Sequence, residues 1–323
     1  MTLVRYIARR IAYFIPVLFG SIILSFLVIR LAPGDPVSIL AGESASLQYR
    51  EMVMHNYGLD KPLYEQLLIY ILNVLQGNLG NSYVWKEPVL NAILRRLPAT
   101  VLLVGCGLTI AVILGLIAGV VSGTKPNSLT DNAVMSFAVV GYSVPVFWTA
   151  QLFVLTLAVY LRLFPVTGLY SVGSSFSFSY AGVADVLWHL ALPVATLSIY
   201  FMAVYARLTR TSMLMTMREN FIITARAKGV KEHDVVYKHA LRNSLLPVVT
   251  SLGVQFGVMI AGVVLTETVY AWPGMGSLLT DAVFYRDYPL VTGIFIFVTI
   301  TVIVANLVTD LVYTILDPRI RYD

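Results

Sequence analysis

Six stretches of this chain carry no charged side chain and are long enough to cross a lipid bilayer as helices: Ile11–Ile29, Leu97–Thr124, Asn132–Leu161, Val186–Ala206, Asn243–Thr266 and Tyr288–Thr309. A crossing helix needs about 20 such residues, because each residue advances about 1.5 Å through an apolar layer about 30 Å thick. All six are rich in Leu, Val, Ile, Phe and Ala. The composition agrees: of 323 residues, 58% are hydrophobic and 12% are charged. That charged fraction is about half the roughly 25% of soluble domains. A disordered chain is excluded. A soluble enzyme could not bury so much apolar surface in one core. The sequence predicts an all-α membrane protein with six transmembrane helices.

Two further charge-free windows do not read as spans. Leu163–Ala184 contains Pro165 and the run Gly173-Ser174-Ser175-Phe176-Ser177, and reads as a loop. Gln66–Trp85 is broken by Asn73, Gln76, Gly77, Asn78, Gly80 and Asn81. Its first half continues an amphipathic helix, with Asp60 as cap, Pro62 in the first turn and Leu63, Leu67, Ile71 and Leu75 on one face. With the N-terminus inside, the inner segments hold 14 Lys and Arg and the outer segments 8. That excess predicts N-in, C-in topology and explains the net charge of +5 without nucleic acid. The first span has 19 residues and leads into Ala32-Pro33-Gly34-Asp35-Pro36, which is no A-x-A site, so it reads as a retained anchor. The expected organisation is an anchor span (1–31), a small extracytoplasmic region (32–96), five spans with a basic inner loop at 207–243 (97–314), and a cytoplasmic tail (315–323).

The membrane segments lack the ionisable residues that mark proton relays or ion sites. Arg30, Glu267 and Asp310 fall at span edges, and Gln151, Gln255 and Asn306 read as interhelical hydrogen-bonding groups. No broken helix is evident, so a stand-alone channel or secondary carrier is disfavoured. The chain has no phosphate-binding G-x-x-x-x-G-K-[ST] loop, no H-E-x-x-H and no G-x-S-x-G. Its single cysteine, Cys106, supports neither a disulfide nor a cysteine metal cluster. No catalytic residue is expected.

The informative segment is Glu219–Pro247. Ile222–Lys228 is a good short helix, and Gly229 can take the left-handed conformation that ends it. Ala225 and Ala227 are small enough for another protein to approach closely. Arg226, Lys228, Lys231 and Lys238 can face lipid phosphates or an acidic partner. From the residues alone, a docking surface and a loop lying on membrane lipid are equally good readings.

Thr224-Ala225-Arg226-Ala227-Lys228-Gly229, followed eighteen residues later by Pro247, resembles the EAA loop of ABC importer permeases, in the form found in the dipeptide, oligopeptide and nickel permease family. Ile223 stands where that loop has Glu, and Thr224 where it has its first Ala. The resemblance continues in Arg9-Arg10, Ala32-Pro33-Gly34-Asp35-Pro36, Tyr57-Gly58-Leu59-Asp60-Lys61-Pro62-Leu63, Arg96-Leu97-Pro98-Ala99-Thr100 and Ala206-Arg207-Leu208-Thr209-Arg210. It ends in Trp272-Pro273-Gly274-Met275-Gly276, Arg286-Asp287-Tyr288-Pro289 and Leu316-Asp317-Pro318-Arg319-Ile320-Arg321.

The resemblance implies a type I ABC importer permease fold in a prokaryotic inner membrane, and a B-type subunit paired with a second homologous permease. Two ABC ATPases, which bind the ATP and Mg, would dock on Thr224, Ala225, Arg226, Ala227, Lys228 and Gly229. An extracytoplasmic binding protein would deliver substrate. Trp272, Pro273, Gly274 and Gly276 are the expected outer gate or hinge. Di- and oligopeptides are the leading substrates. Oligosaccharides, on which Tyr142, Trp148, Tyr200 and Tyr205 could stack, and glutathione travel through similar permeases. So does nickel, for which His189, Cys106 and the methionines are too scattered.

Overall fold

The computed structural model describes residues 3–31, 37, 45–56, 58–171, 173 and 179–316. In chain order the helices are α1 (Leu3–Leu31), α2 (Leu47–Asn56), α3 (Leu63–Leu75), α4 (Val89–Thr124), α5 (Leu129–Ser143), α6 (Val146–Phe153), α7 (Tyr180–Thr216), α8 (Asn220–Ala227), α9 (Glu232–Asp234), α10 (Leu241–Val269), α11 (Met275–Phe284) and α12 (Tyr288–Leu316). α6 and α9 each run on into a π-helical stretch, Val154–Tyr160 and Val235–Ala240. The Ala32–Pro36 turn, residues 172 and 174–178 of the expected Leu163–Ala184 loop and the tail beyond Leu316 lie outside the described residues.

Among the described residues, α4, α7 and the Tyr288–Leu311 part of α12 are long and apolar enough to cross a membrane, and α1 holds a shorter apolar stretch, Ala12–Val28. α10 contains the fifth charge-free window. The third window differs from expectation. Asn132–Leu161 reads as one span, but the chain forms two helical pieces, α5 and α6 with its π-helical stretch, bent by 97°. Pro145 is the cause: it lacks an N–H and disfavours helical backbone at the residue before it. Val144 is accordingly extended, with φ −81° and ψ 128°. The freed groups are served locally. Val144 N–H reaches the Val140 carbonyl at 3.2 Å, and Trp148 and Thr149 N–H reach the Pro145 carbonyl at 3.0 and 3.1 Å. A broken helix is therefore present, yet no charged residue lies between Asp131 and Arg162 to build an ion site on it.

The chain divides into two compact units. The first draws on Met1–Leu97 and Leu278–Ile303, the second on Pro98–Ser277 and Val304–Arg321. In the first, Phe26 of α1 meets Tyr70 of α3 with ring centroids 5.9 Å apart, and Ser21 of α1 bonds Thr299 of α12 at 2.8 Å. Asp287, fully buried just ahead of α12, accepts from the Ser82 hydroxyl at 2.5 Å, Val84 N–H at 3.1 Å and Leu290 N–H at 3.3 Å. It caps α12 and ties the 82–84 segment to it. α3 begins after Pro62, and the Gln66 amide donates to the carbonyls of Leu59 and Lys61. Asp60 does not cap this helix, as its spacing suggests; it pairs with His55 Nδ1 at 3.0 Å.

In the second unit α7 is the central helix. Within their most apolar stretches, 61% of α7 is buried in the protein against 28% of α4. α7 begins at Tyr180 and continues to Thr216, so the first ten residues of the expected basic loop prolong a span. Its partner α4 presents Gly107, Ala111, Gly115, Gly119 and Gly123, one small residue at every fourth position. Residues four apart share a helix face. A Cβ on Gly115 would lie 3.0 Å from the Met202 carbonyl, one on Gly119 2.7 Å from the Ala206 carbonyl, and one on Gly123 2.7 Å from the Met213 Cβ. The backbone and Cβ atoms of α7 thus lie directly against these glycines. Leu103, Leu197, Phe201, Tyr205, Met259, Val263 and Trp272 fill the core that α4, α7 and α10 share. Gly119→Ala is expected to destabilise the protein by about 1–3 kcal/mol and Gly119→Leu by more. Thermal unfolding in detergent checks this, with Gly105→Ala, where an added Cβ meets nothing within 4 Å, as the neutral control.

Candidate coupling helix and the Trp272–Gly276 corner

α8 carries the residues expected to couple to a partner. Ile222 and Ala225, three apart, turn inward and are buried with Val120, Met213, Val235, Val236 and Ala240. Phe221, Ile223, Thr224, Arg226, Ala227, Lys228 and Gly229 are exposed. The helix ends in two nested bonds. Gly229 N–H reaches the Arg226 carbonyl at 3.0 Å, and Val230 N–H reaches the Ala225 carbonyl at 3.2 Å. This is the Schellman arrangement, with Gly229 at φ +75° as its left-handed residue and Val230 packed on the same core as Ala225.

Arg226 then fastens the helix end to α9. Its Nε and Nη2 donate to the two oxygens of Glu232 at 3.1 and 2.6 Å. Hydrogen bonding to the guanidinium holds the Glu232 carboxyl below the usual carboxylate range. A carboxylate with a lowered pKa keeps its ion pair until pH falls through that lowered value, so the staple stands at neutral pH. Lys238 pairs with Asp234 at 3.1 Å. Among the described residues, Lys228 and Lys231 are in no ion pair. Two sequence-based readings change here. Ala225 faces its own core, leaving Ala227 as the small outward residue, and Arg226, still exposed, also pairs with Glu232.

The Trp272–Gly276 segment is pinned from all sides. α10 ends with Ala271 left-handed (φ +47°) and Trp272 N–H on the Glu267 carbonyl at 2.8 Å. The Trp272 side chain is fully buried, and its Nε1 donates to the Ala99 carbonyl at 2.9 Å. Glu267, which sequence position places at a span edge, is also fully buried. Its carboxylate accepts from the Thr100 hydroxyl at 2.7 Å, Gly276 N–H at 2.6 Å and Ser277 N–H at 3.1 Å. Thr100 Oγ1 in turn accepts Met275 N–H at 2.8 Å. Gly276 must be glycine, since a Cβ there would lie 2.5 Å from the Val264 Cα. Of the aromatic residues considered for sugar stacking, Tyr142 and Tyr200 stack on each other with centroids 5.1 Å apart, Tyr205 is fully buried and Trp148 is exposed.

A bundle of apolar helices, with a short helix clipped at the end of its central span, defines the class of a type I ABC importer permease. A solved inward-facing structure of the MetNI methionine ABC transporter shares this fold, with a TM-score of 0.56 at 16% identity over 71% of this chain and 97% of that one. The chain belongs to the family described as binding-protein-dependent transport system inner membrane component, whose profile matches residues 111–322; the profile of that family's N-terminal region matches residues 3–104. It is 42% identical to the di/tripeptide transport system permease protein DppB of Pseudomonas aeruginosa, over 98% of both chains. It is 38% identical to the oligopeptide transport system permease protein AppB of Bacillus subtilis, over 98% of this chain and 99% of that one. The dipeptide transport system permease protein DppB of Escherichia coli K12 is 37% identical over 99% of both.

The Glu267 geometry separates two substitutions. Glu267→Gln keeps one oxygen for Gly276 and Ser277 and offers an N–H to Thr100, so a loss of about 1 kcal/mol is expected. Glu267→Ala removes the acceptor shared by the Gly276 and Ser277 N–H groups and the Thr100 hydroxyl, and a loss of about 3 kcal/mol or more is expected. Thermal unfolding of the purified variants measures both.

Proposed function

We propose that this chain is the membrane-spanning subunit of an ATP-driven importer of di- and oligopeptides. It crosses the membrane six times with both termini inside and pairs with a second, homologous permease. Two ABC ATPases bind and hydrolyse ATP, and α8 lies in a groove of one of them. An extracytoplasmic binding protein delivers the peptide to the outer side, where the 32–96 region meets it. The observation that carries the reading is α8 itself. An eight-residue helix presents exposed apolar Phe221 and Ile223 beside cationic Lys228 and Lys231, while Ile222 and Ala225 lock it to the ends of α4 and α7. Exposed apolar groups rimmed by charge mark a docking face. The similarity to peptide permeases along nearly the whole chain supports the substrate class.

The mechanism is alternating access. ATP binding closes the ATPase pair, and α8 moves with it as a rigid lever, because its inner face is packed and its end is stapled. Lever motion shifts α7 and α10 and opens the path outward; hydrolysis resets it. Such a shift needs contacts that differ between the two states, and the docked face of α8 supplies them. The pinned Trp272–Gly276 corner acts as a fixed unit at the outer gate, carrying the end of α10 and the start of α11 together.

Affinity purification through a tag on this chain is expected to bring down two ABC ATPases and a second permease. Proteoliposomes of that complex with its binding protein are expected to take up labelled dipeptides in an ATP-dependent way. Uptake of an oligosaccharide, nickel or glutathione in place of peptide would reassign the substrate. Ala227→Trp, which adds bulk only to the outward face of α8, is expected to lower ATPase copurification without lowering the thermal stability of the isolated subunit.

A further inference from the structure

Asp131 is a buried carboxylate that the docking face of α8 does not use. Only 1% of it is exposed. Four donors surround it. Arg210 of α7 gives two parallel bonds, Nε to Oδ1 at 2.6 Å and Nη2 to Oδ2 at 2.7 Å. Asn127 in the α4–α5 turn, left-handed at φ +61°, gives its backbone N–H to Oδ2 at 2.8 Å. The Ser122 hydroxyl of α4 gives a further bond to Oδ1. One side chain at the start of α5 therefore joins α4, the turn, α5 and α7.

The joint sits next to α8. Gly123 lies 3.2 Å, by its would-be Cβ, from the Arg210 carbonyl. One turn further along α7, Met213 enters the same core as Val120 of α4 and Ile222 and Ala225 of α8. In the other direction α5 runs from Asp131 to the bend at Val144–Pro145. A continuous packed route thus leads from α8 through α7 and Asp131 into α5 and its break.

Resting on the importer reading above, we propose that Asp131 and Arg210 are the positioning pair that delivers displacement of α8 to the bent α5–α6 helix. A buried ion pair adds little net stability over an apolar pair of similar size. Two parallel bonds to a planar guanidinium instead fix orientation, which is what a strut between moving helices needs. Arg210→Lys keeps the charge and loses the fork. Asp131→Asn replaces one acceptor oxygen with a donor facing Arg210 or Asn127. Ser122→Ala removes one of the four donors.

The test uses the complete complex in proteoliposomes, with three readings for each variant: ATPase copurified, ATP hydrolysed and peptide taken up. For Arg210→Lys, assembly and hydrolysis are expected to stay within about twofold of the unmodified complex while uptake per ATP falls roughly fivefold or more. Asp131→Asn is expected to fall further, and Ser122→Ala to stay within about twofold. If uptake per ATP in assembled Arg210→Lys and Asp131→Asn complexes equals that of the unmodified one, the pair is no strut. Uptake and hydrolysis that drop together at constant ratio, following the amount assembled, assign it a purely structural role and also overturn the proposal. Should Asp131→Asn fail to assemble, the milder Arg210→Lys decides. An unmodified complex with no ATP-driven uptake would overturn the importer reading, and this inference with it.

Discussion

Helices in lipid gain nothing by hiding apolar surface from one another, because the lipid tails are as apolar as leucine. Association must come from close approach. Here that approach runs along Gly115, Gly119 and Gly123 of α4, against which the α7 backbone and the Cβ atoms of Tyr205, Thr209 and Met213 lie. The rest of the second unit depends on that register. It places Ser122 beside Asp131, within reach of Arg210, and it brings Val120 and Met213 together as the seat for α8. A shift of α4 by one residue would put Leu114 or Leu116 into the seam in place of Gly115.

The buried carboxylates show a second constraint. A charge removed from water must be met by donors. Asp131 is met by a guanidinium, a hydroxyl and a backbone N–H. Glu267 is met by a hydroxyl and two backbone N–H groups. Asp287 is met by a hydroxyl and two backbone N–H groups as well. Each lies at or beside a helix end, where unpaired backbone donors are available. Each ties together segments distant in sequence. In this fold the acids are fasteners, which accounts for a membrane chain whose few charges still matter.

Much of the candidate site is legible in the sequence. The residues predict a helix over Ile222–Lys228, and Asn220–Ala227 forms one; they predict a left-handed end at Gly229, which stands at φ +75°. Both depend on residues within a few positions of one another. Which face of α8 turns inward is not legible, since that depends on Val120 and Met213. Nor are the pairing of Asp131 with Arg210 and that of Glu267 with Thr100, which lie 79 and 167 residues away. Two local signals do foreshadow the tertiary structure: the four-residue spacing of small residues in α4 marks the helix seam, and Pro145 in the middle of an apolar window marks the bend.

The chain by itself determined that it is helical and lies in a membrane, where its apolar segments fall, and where a short helix ends beside a cationic surface. These follow from hydropathy, length and backbone preference, which act over a turn or two. The tertiary structure alone decided that Glu267 is buried against Thr100, that Asp131 meets Arg210, and that Ala225 turns inward onto Val120 and Met213. The physical reason is the same in each case. Whether a polar group meets a partner or a solvent is settled by what packs beside it, and in this protein those neighbours come from elsewhere in the chain.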